Sequence, residues 1–241
     1  MKNKRLIQFN AVNESSKYLV DIPKPALHHV PEWYRKQKNY SNGSTSPSNF
    51  SSPEVVHATY KLCVPFIDAL TSGYVLSTAA DIYVENVGKE TYEPKFFWNV
   101  TWPLLDFQSM QTLGNYPTPH GHNPHLFRWH VAWQVVTPKG YSLWVTHPSH
   151  RYDLPFTTIN GFVDTDAHPN SLFLPFFIQE GFEGLIPKGT PFAQLLPIKR
   201  ESWESKKGVV GEGYAFIRDN ILKAYLFRGY KRLFWTKKMY K

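Results

Sequence analysis

The fold is decided by residues 140–200, which read GYSLWVTHPSHRYDLPFTTINGFVDTDAHPNSLFLPFFIQEGFEGLIPKGTPFAQLLPIKR. Short apolar runs in this stretch alternate with turn-forming Pro, Gly, Asn and Asp residues. The runs are residues 141–146, 156–163, 172–178, 182–186 and 192–198. Runs separated in this way predict short strands of a sandwich or barrel.

The composition of the whole chain agrees with a mainly β fold. The 241 residues are 42% hydrophobic and 16% aromatic, with 19 prolines and 14 glycines. Aromatic residues favour strands, and frequent Pro and Gly suit many turns and disfavour a helical bundle. The length fits one large β domain with extensions, or two small domains.

Working outward from residues 140–200, the sequence predicts three segments. Residues 1–52 form an irregular N-terminal extension, residues 53–205 a β domain, and residues 206–241 a C-terminal helix and basic tail. Pro31 is expected to open a short helix that runs to Lys36, because proline suits the first turn. Other elements are expected as strands over residues 55–64, 66–70, 73–77, 81–87, 96–102 and 129–136, and as a helix over residues 214–230.

The formal charge of +8 is concentrated at the two ends of the chain. It indicates either a solvated surface with a basic tail, or contact of the C-terminal tail with nucleic acid or a virion component. The single cysteine, Cys63, lies between Leu62 and Val64, which favours a buried structural thiol over a nucleophile. One cysteine allows no internal disulfide, so we expect the host cytoplasm or a virion interior.

No signal peptide is recognised, because residues 6–12, which follow the basic N-terminus, are too few and too polar for the hydrophobic region of a signal peptide. No apolar run approaches the ~20 residues of a membrane helix, so no membrane partner is expected.

Four short motifs occur in order within residues 140–200. They are Gly140-Tyr141, His147-Pro148-Ser149, the hairpin at residues 161–166, and the Gly-Thr-Pro-Phe-Ala-Gln-Leu segment at residues 189–195. Together they resemble the central part of dUTPases and the related dCTP deaminases, which share the β-clip fold. The resemblance implies a β-clip, dUTPase-like barrel or sandwich.

The resemblance also implies roles for individual residues. Asp164 corresponds to the catalytic aspartate that positions the attacking water, and Ser149 to the phosphate-binding serine. His147, His150, Arg151 and Asp166 would complete the ligand-binding set, and Gln194 would support the fold. A nucleotide hydrolase of this kind would use Mg²⁺ and would assemble as a homotrimer with sites between subunits. The alternative is that Asp164 and Asp166 only shape a tight turn and Ser149 lies in an ordinary loop.

The chain departs from the dUTPase pattern at three places. Ala167-His168 stands where these enzymes have a base-stacking tyrosine, and Pro148 replaces the arginine before the phosphate-binding serine. The glycine-rich arm that closes over the triphosphate has only a faint counterpart in residues 208–213. The fold is therefore better supported than a dUTPase activity.

The chain is also similar, nearly end to end, to a family found in tailed bacteriophages, particularly marine ones. Residues 31–34, 63–74, 138–142, 161–166 and 182–203 carry this resemblance. It implies a viral origin and no activity.

Seven of the ten histidines lie between His120 and His168. His120 and His122, together with Asp164 or Asp166, are candidates for a His/carboxylate metal site on a barrel. The alternative is a polar loop rich in Pro and Asn in which histidine is an ordinary turn residue.

Three functions remain open from the sequence. The first is a dUTPase-like protein that binds a nucleotide or another phosphorylated small molecule, with or without hydrolysing it. The second is a non-enzymatic virion or host-interaction module that kept the fold and lost the chemistry. The third is a metal-dependent barrel enzyme.

Overall fold

The computed structural model describes residues 5–42, 56–86, 94–168, 170–211, 213–216 and 229–241. The strands in these ranges are β1 (Gln8–Ala11), β2 (Lys24–Pro25), β3 (Tyr40–Asn42), β4 (Val56–Ala58), β5 (Tyr74–Ser77), β6 (Ile82–Asn86), β7 (Pro94–Phe97), β8 (Leu105–Gln108), β9 (Leu126–His130), β10 (Trp133–Val136), β11 (Tyr141–Thr146), β12 (Phe156–Thr158), β13 (Gly161–Val163), β14 (Phe173–Ile178), β15 (Gly184–Ile186) and β16 (Pro191–Lys199). The helices are α1 (Glu14–Leu19), α2 (Glu32–Lys36), α3 (Val64–Thr71), α4 (Tyr214–Phe216) and α5 (Gly229–Leu233), with 3-10 turns at Ala26–His29, Tyr60–Leu62 and Met110–Thr112. The predicted mainly β fold class is confirmed, since the strands assemble into several antiparallel sheets.

The chain divides into two compact units. Unit 1 comprises residues 1–29, 73–200 and 241, and unit 2 comprises residues 30–72 and 201–240. Unit 2 is therefore built from two segments that are far apart in the chain. The segment boundaries that the sequence predicts, at residues 52 and 205, stay a prediction.

Unit 1 is organised around a five-stranded antiparallel sheet in the order β13-β11-β16-β5-β2. A turn over residues 138–141 leads into β11, and the N–H of Tyr141 donates to the carbonyl of Pro138. Gly140 occupies the third position of this turn with φ of +84°, a conformation that favours glycine. β5 begins after Gly73, whose φ is +75° and whose backbone lies against the carbonyl oxygen of Leu195 in β16.

A four-stranded sheet in the order β12-β14-β9-β8 supplies the other side of the unit 1 core. Trp129 of β9 stacks on Phe176 of β14 with ring centroids 4.1 Å apart, and on Phe192 of β16 at 4.9 Å. Phe156 packs edge-on against Trp129 at 5.0 Å. These aromatic rings are buried, so hydrophobic burial joins the four-stranded sheet to β16 of the five-stranded sheet.

The structure differs from several of the sequence predictions. Of residues 55–64, expected as a strand, 56–58 form β4 and 60–62 a 3-10 turn, and the strand expected over 96–102 ends at Phe97. The strand expected over 129–136 is divided between β9 and β10, which belong to different sheets.

Residues 66–70, expected as a strand, belong to helix α3, because Pro65 lies in its first turn and the Thr71 hydroxyl donates to the Ile67 carbonyl one turn back. The N-terminal extension, expected to be irregular, contains β1, which pairs with β10, and the capped helix α1. The short helix predicted after Pro31 is confirmed as α2.

Much of the helix predicted over residues 214–230 lies outside the described residues, which include only α4 and the start of α5 from that range. Across the part of the chain that is described, no helix combines the length and the apolar character needed to cross a bilayer.

Candidate functional site

The predicted aspartates follow strand β13 at one end of the five-stranded sheet. Because Val163 of β13 pairs with Leu143 of β11, Asp164 comes next to Ser142, whose hydroxyl donates to its Oδ1 over 2.5 Å. β16 pairs with the other edge of β11 and ends just before Arg200. We refer to the group at this end of the sheet as the carboxylate cluster: Gly140, Ser142, Asp164, Asp166 and Arg200.

Asp166 is held tightly inside this cluster. Arg200 donates from Nη1 to Oδ1 over 3.0 Å and from Nη2 to Oδ2 over 2.5 Å, and the backbone N–H of Gly140 donates to Oδ2 over 2.8 Å. The Asp166 side chain is only 7% exposed. Hydrogen bonds from Arg200 and then from Gly140 lower the pKa of Asp166 to about 2. Asp166 therefore ties the turn before β11 to the residue that follows β16.

Asp164 is less enclosed than Asp166. Its Oδ1 accepts from Ser142 and, at 3.2 Å, from Nη1 of Arg200, while its side chain remains 66% exposed. Its backbone carbonyl accepts from the N–H groups of Ala167 and His168 in a tight turn. Among the described residues, none donates to its Oδ2. Asp164 thus shapes a turn, as one interpretation of the sequence held, and also presents one carboxylate oxygen at the surface.

His147 lies beyond the other end of β11 and is fully used by the protein. The backbone N–H of Thr158 donates to Nδ1 over 3.3 Å, so Nε2 carries the proton and donates to the carbonyl of Arg151 at 3.1 Å. Its own backbone N–H donates to the side chain of Asn160. Burial lowers the pKa of His147, which keeps the ring neutral at neutral pH. A neutral ring with both nitrogens hydrogen-bonded holds the loop in place and supplies no positive charge for a phosphate.

The other predicted ligand-binding residues of this loop also have internal partners. The guanidinium of Arg151 forms a bidentate pair with Asp153 at 2.8 and 3.0 Å, and it is largely buried. The backbone N–H of Ser149, a group expected to contact phosphate, donates instead to the buried side chain of Gln194 over 2.9 Å. His150 adopts φ of +57°, which is unusual for a residue with a side chain. Burial lowers its pKa.

The Arg151 pair also changes the titration of its partner. Burial alone would raise the pKa of Asp153, but the hydrogen bonds from Arg151 lower it overall. Arg151 and Asp153 are thus an ion pair with no net charge.

The predicted site residues do not converge within one chain. Asp164 is bonded to Ser142 near the start of β11, whereas Ser149 is bonded to Gln194, which pairs with Thr146 at the end of β11. Four residues of extended strand between positions 142 and 146 correspond to about 13 Å. Within one chain, the carboxylate cluster and the loop at residues 147–153 are therefore separate groups.

Of the two histidines proposed as metal ligands, His122 has other partners on both ring nitrogens. His122 contacts the carbonyl of His120 through Nδ1 at 3.1 Å and the hydroxyl of Thr157 through Nε2 at 2.9 Å. No group of three His, Cys, Asp or Glu residues suited to a metal ion occurs within the described ranges. Both oxygens of Asp166 are already hydrogen-bonded, so the carboxylate cluster does not fit a Mg²⁺ site formed by two carboxylates.

Unit 2 contains a recess that the sequence analysis missed. Its volume is about 690 Å³. We call it the aromatic pocket; its lining residues are Trp33, Tyr34, Gln37, Thr59, Tyr60, Leu62, Cys63 and Phe66. Recesses of several hundred Å³ with apolar and aromatic walls are typical of small-molecule sites.

The rings of the aromatic pocket are ordered around Phe66 of α3. Tyr34 stacks on Phe66 with a centroid distance of 5.8 Å, Tyr60 lies at 5.4 Å, and Trp33 meets Phe66 edge-on at 6.4 Å. Trp33 and Tyr60 keep 42% and 72% of their surface exposed. Burial raises the pKa of Tyr34, with a smaller contribution from the nearby Cys63 thiol. The pocket therefore combines a packed floor with two exposed rings.

Lys61 fixes the wall of the pocket. Its ammonium donates to the backbone carbonyls of Tyr34 and Arg35 at 2.6 and 3.0 Å and lies 4.6 Å from the centre of the Tyr34 ring. Lys61 thereby satisfies carbonyls at the end of α2, which otherwise have no partner inside the helix. Its role is structural.

A second recess of about 590 Å³ adjoins the aromatic pocket, since the two share Trp33, Gln37 and Thr59. It is lined in addition by Lys36, Lys38, Tyr40 and Ser41. We call it the basic recess. The signal in the sequence was a cluster of aromatic and basic residues at positions 33–40, but it gave no indication that residues 59–66 would lie against it.

No protein-family model matches the chain, and no curated protein matches it. Among solved structures, the chain is similar to a mutant dUTPase from phage phi11 of S. aureus, whose structure shows how a structural Mg(II) ion is coordinated. That alignment covers 87% of this chain and 99% of the other at 10% identity, with a TM-score of 0.36. A TM-score this low transfers no residue role, so the roles of Asp164 and Ser149 stay predictions.

Proposed function

We propose that this chain is a binding protein whose ligand carries an aromatic ring and negative charge, the combination found in nucleotides. The observation that carries the proposal is the aromatic pocket, in which Trp33 and Tyr60 are exposed beside the basic recess. Aromatic side chains bind bases by stacking, and lysines attract phosphate. Nucleotide binding, one of the sequence expectations, is thereby assigned to unit 2.

The charge of unit 2 supports this assignment. Its sequence contains thirteen Lys and Arg and seven Asp and Glu, a net charge of +6, whereas unit 1 contains fourteen and twelve, a net charge of +2. In the carboxylate cluster, two aspartates against one arginine give a local charge of −1, which repels phosphate. On this proposal, unit 1 is a dUTPase-like β scaffold, and the chain is a non-enzymatic module, one of the three functions that the sequence leaves open. The resemblance to phage proteins favours a viral origin.

The test is isothermal titration calorimetry, which measures the binding of deoxynucleoside mono- and triphosphates to the purified full chain. We expect Trp33→Ala to weaken binding, because one stacking ring is worth about 1–3 kcal/mol. Trp203→Ala is the matched control, since Trp203 also belongs to unit 2, is 85% exposed and does not line the pocket. Equal affinity in wild type and Trp33→Ala would refute the site.

A second candidate function is nucleotide hydrolysis at a site completed by another copy of the chain, as in a trimer. The exposed Oδ2 of Asp164 favours it, since an oriented carboxylate at the surface is suited to position water once a neighbour supplies the phosphate-binding groups. In that case Asp164→Asn abolishes hydrolysis of deoxynucleoside triphosphates and Trp33→Ala does not. Absence of hydrolysis in the wild type, with binding intact, would leave the binding function alone.

A further inference from the structure

The aromatic pocket and the basic recess are continuous, because they share Trp33, Gln37 and Thr59. We call the two together the track. Both recesses border Trp33, and Lys36 follows Trp33 by three positions in α2, so the two side chains lie on the same face of the helix. The track therefore passes from the exposed rings of Trp33 and Tyr60 to Lys36, Lys38 and Tyr40. Lys36 is paired with Glu32 at 2.7 Å, but about three-quarters of each side chain is exposed to solvent, so the pair is weak and a phosphate can compete for the lysine. Together the two recesses offer more volume than one nucleotide occupies, so a single nucleotide would leave part of them unfilled.

The C-terminal segment, residues 229–240, carries four basic residues, Lys231, Arg232, Lys237 and Lys238, of which Lys238 is paired with Asp68. The indole N–H of Trp235 and the ammonium of Lys238 both donate to Oδ2 of Asp68 on α3, at 2.8 and 2.6 Å. Lys231 and Lys238 also lie against the ring of Trp235, at 5.8 and 5.9 Å from its centre.

Helix α3 connects this segment to the pocket. α3 has eight residues and is about 12 Å long, and it also provides Phe66 at the floor of the aromatic pocket. The basic C-terminal segment is thus anchored to the helix that carries the pocket.

We propose that the ligand of this track is single-stranded nucleic acid. The inference rests on the proposed function, which it narrows from nucleotide-type ligands in general to a polymer. Exposed aromatic rings along a basic groove are the arrangement by which proteins bind single strands without sequence preference. A duplex keeps its bases stacked on one another, so it offers no base face to Trp33 or Tyr60. A free nucleotide offers a single base, so it can stack on the rings at one place only and leaves the rest of the two recesses unfilled.

The test is the affinity of the full chain for fluorescent oligo(dT) and oligo(U) of about 12 nucleotides, within the known site sizes for single-strand binding folds. The competitors are dTMP, UMP and a duplex of the same length. We expect the oligonucleotides to bind more tightly than either mononucleotide and than the duplex. Comparison of oligo(dT) with oligo(U) identifies DNA or RNA as the better ligand.

Two kinds of variant separate stacking from charge. Trp33→Ala is expected to weaken oligonucleotide binding by about 5- to 150-fold with little change in its salt dependence. Lys36→Gln and Lys38→Gln are each expected to reduce the slope of log affinity against log salt by about 0.7, the value for one phosphate contact on a single strand. Lys95→Gln, an exposed lysine of unit 1, should leave the slope unchanged. Tyr60→Ala, at a more exposed ring, repeats the stacking test if Trp33→Ala does not fold.

The outcomes distinguish this inference from the proposed function. If dTMP or UMP binds as tightly as the oligonucleotide and Trp33→Ala weakens both, the polymer inference is wrong and the nucleotide site stands. If the duplex binds as well as the single strand and neither aromatic variant matters, binding is purely electrostatic and the inference is wrong. If no nucleotide or oligonucleotide binds, both proposals fail.

Discussion

The carboxylate cluster of unit 1 and the aromatic pocket of unit 2 use their side chains in opposite ways. In the carboxylate cluster, Asp166 bonds to Arg200 and to the backbone N–H of Gly140, and Asp164 keeps one oxygen without a donor among the described residues. In the aromatic pocket, Trp33 and Tyr60 remain exposed around an open volume of about 690 Å³. One group closes on itself, and the other is open to a ligand.

The difference shows why a motif match and a binding site need not coincide. Polar groups at the ends of strands require hydrogen-bond partners, and the motif residues of unit 1 supply them to one another. A ligand that binds to Asp166 or Arg200 must first break those bonds. The rings of the aromatic pocket lose nothing when a ligand stacks on them, so unit 2 is the better candidate for binding.

Three stability experiments test the closed character of unit 1, starting with the largest expected effect. Gly73→Ala should destabilise the protein by about 2–5 kcal/mol, the sum of left-handed strain and steric overpacking. A Cβ at this position would lie 2.1 Å from the carbonyl oxygen of Leu195, and φ is +75°. The measurement is urea unfolding.

Gly189→Ala is the matched control for Gly73→Ala. Gly189 also has positive φ, at +81°, but a Cβ there meets no atom within 4 Å. We expect it to cost only the conformational strain of about 1–2 kcal/mol. Equal losses for the two variants would mean that β5 and β16 are not in close contact at Gly73.

Gln194→Leu should destabilise unit 1 by about 1–3 kcal/mol, because it leaves the Ser149 N–H without its acceptor and removes a buried amide. Gln8→Leu, at an exposed position of β1, is expected to change the stability by less than about 0.5 kcal/mol. Urea midpoints of both variants provide the measurement. If Gln194→Leu leaves the urea midpoint unchanged, the hydrogen bond that holds the loop at residues 147–153 is not important. Ser149 would then again be a candidate ligand-binding residue.

Mild acid should lower the stability of unit 1, because His147 becomes protonated more readily in the unfolded chain than in the folded one. Burial lowers its pKa in the folded state, so the unfolded chain binds the proton more readily, and stability falls as the pH drops below 6.5, the ordinary value for histidine. His29 and His150 shift in the same direction. We expect the urea midpoint to decrease from pH 7.5 to pH 5.5, and His147→Gln to reduce this slope. An unchanged slope in His147→Gln would show that His147 does not carry the effect.

The Asp166–Arg200 pair titrates in a separate and lower range. The folded-state pKa of Asp166 is about 2, below its ordinary 3.8, so its contribution is present above 3.8 and is lost as the pH falls towards 2. The two ranges do not overlap, which allows the loop at residues 147–153 and the carboxylate cluster to be tested independently.

Local sequence patterns predicted the elements whose residues decide their own conformation. The turn at Gly140 needs positive φ, and the alternation from Ile82 to Glu85 marks a strand with one buried face, so both were predictable. The strand expected over residues 66–70 was wrong, because a short apolar run does not distinguish a strand from a helix, and Pro65 in the first turn favours the helix.

The site was less predictable than the fold because it depends on partners distant in sequence. The sequence identified Asp164, Ser149 and Arg151 by their motifs, but it did not show that Arg200, Gln194 and Asp153 would be their hydrogen-bond partners. Nor did it show that Trp33 would come within reach of Phe66, which lies 33 positions further along the chain.

By itself, the sequence determined the mainly β character of unit 1, the excess of positive charge and the residues able to do chemistry, since these follow from composition and local spacing. Only the tertiary structure decided which of those residues are hydrogen-bonded within the protein and which remain exposed to a ligand. Hydrogen-bond partners and exposed aromatic surface are set by strand pairing and packing between distant segments, and these are not encoded within any short stretch of the chain.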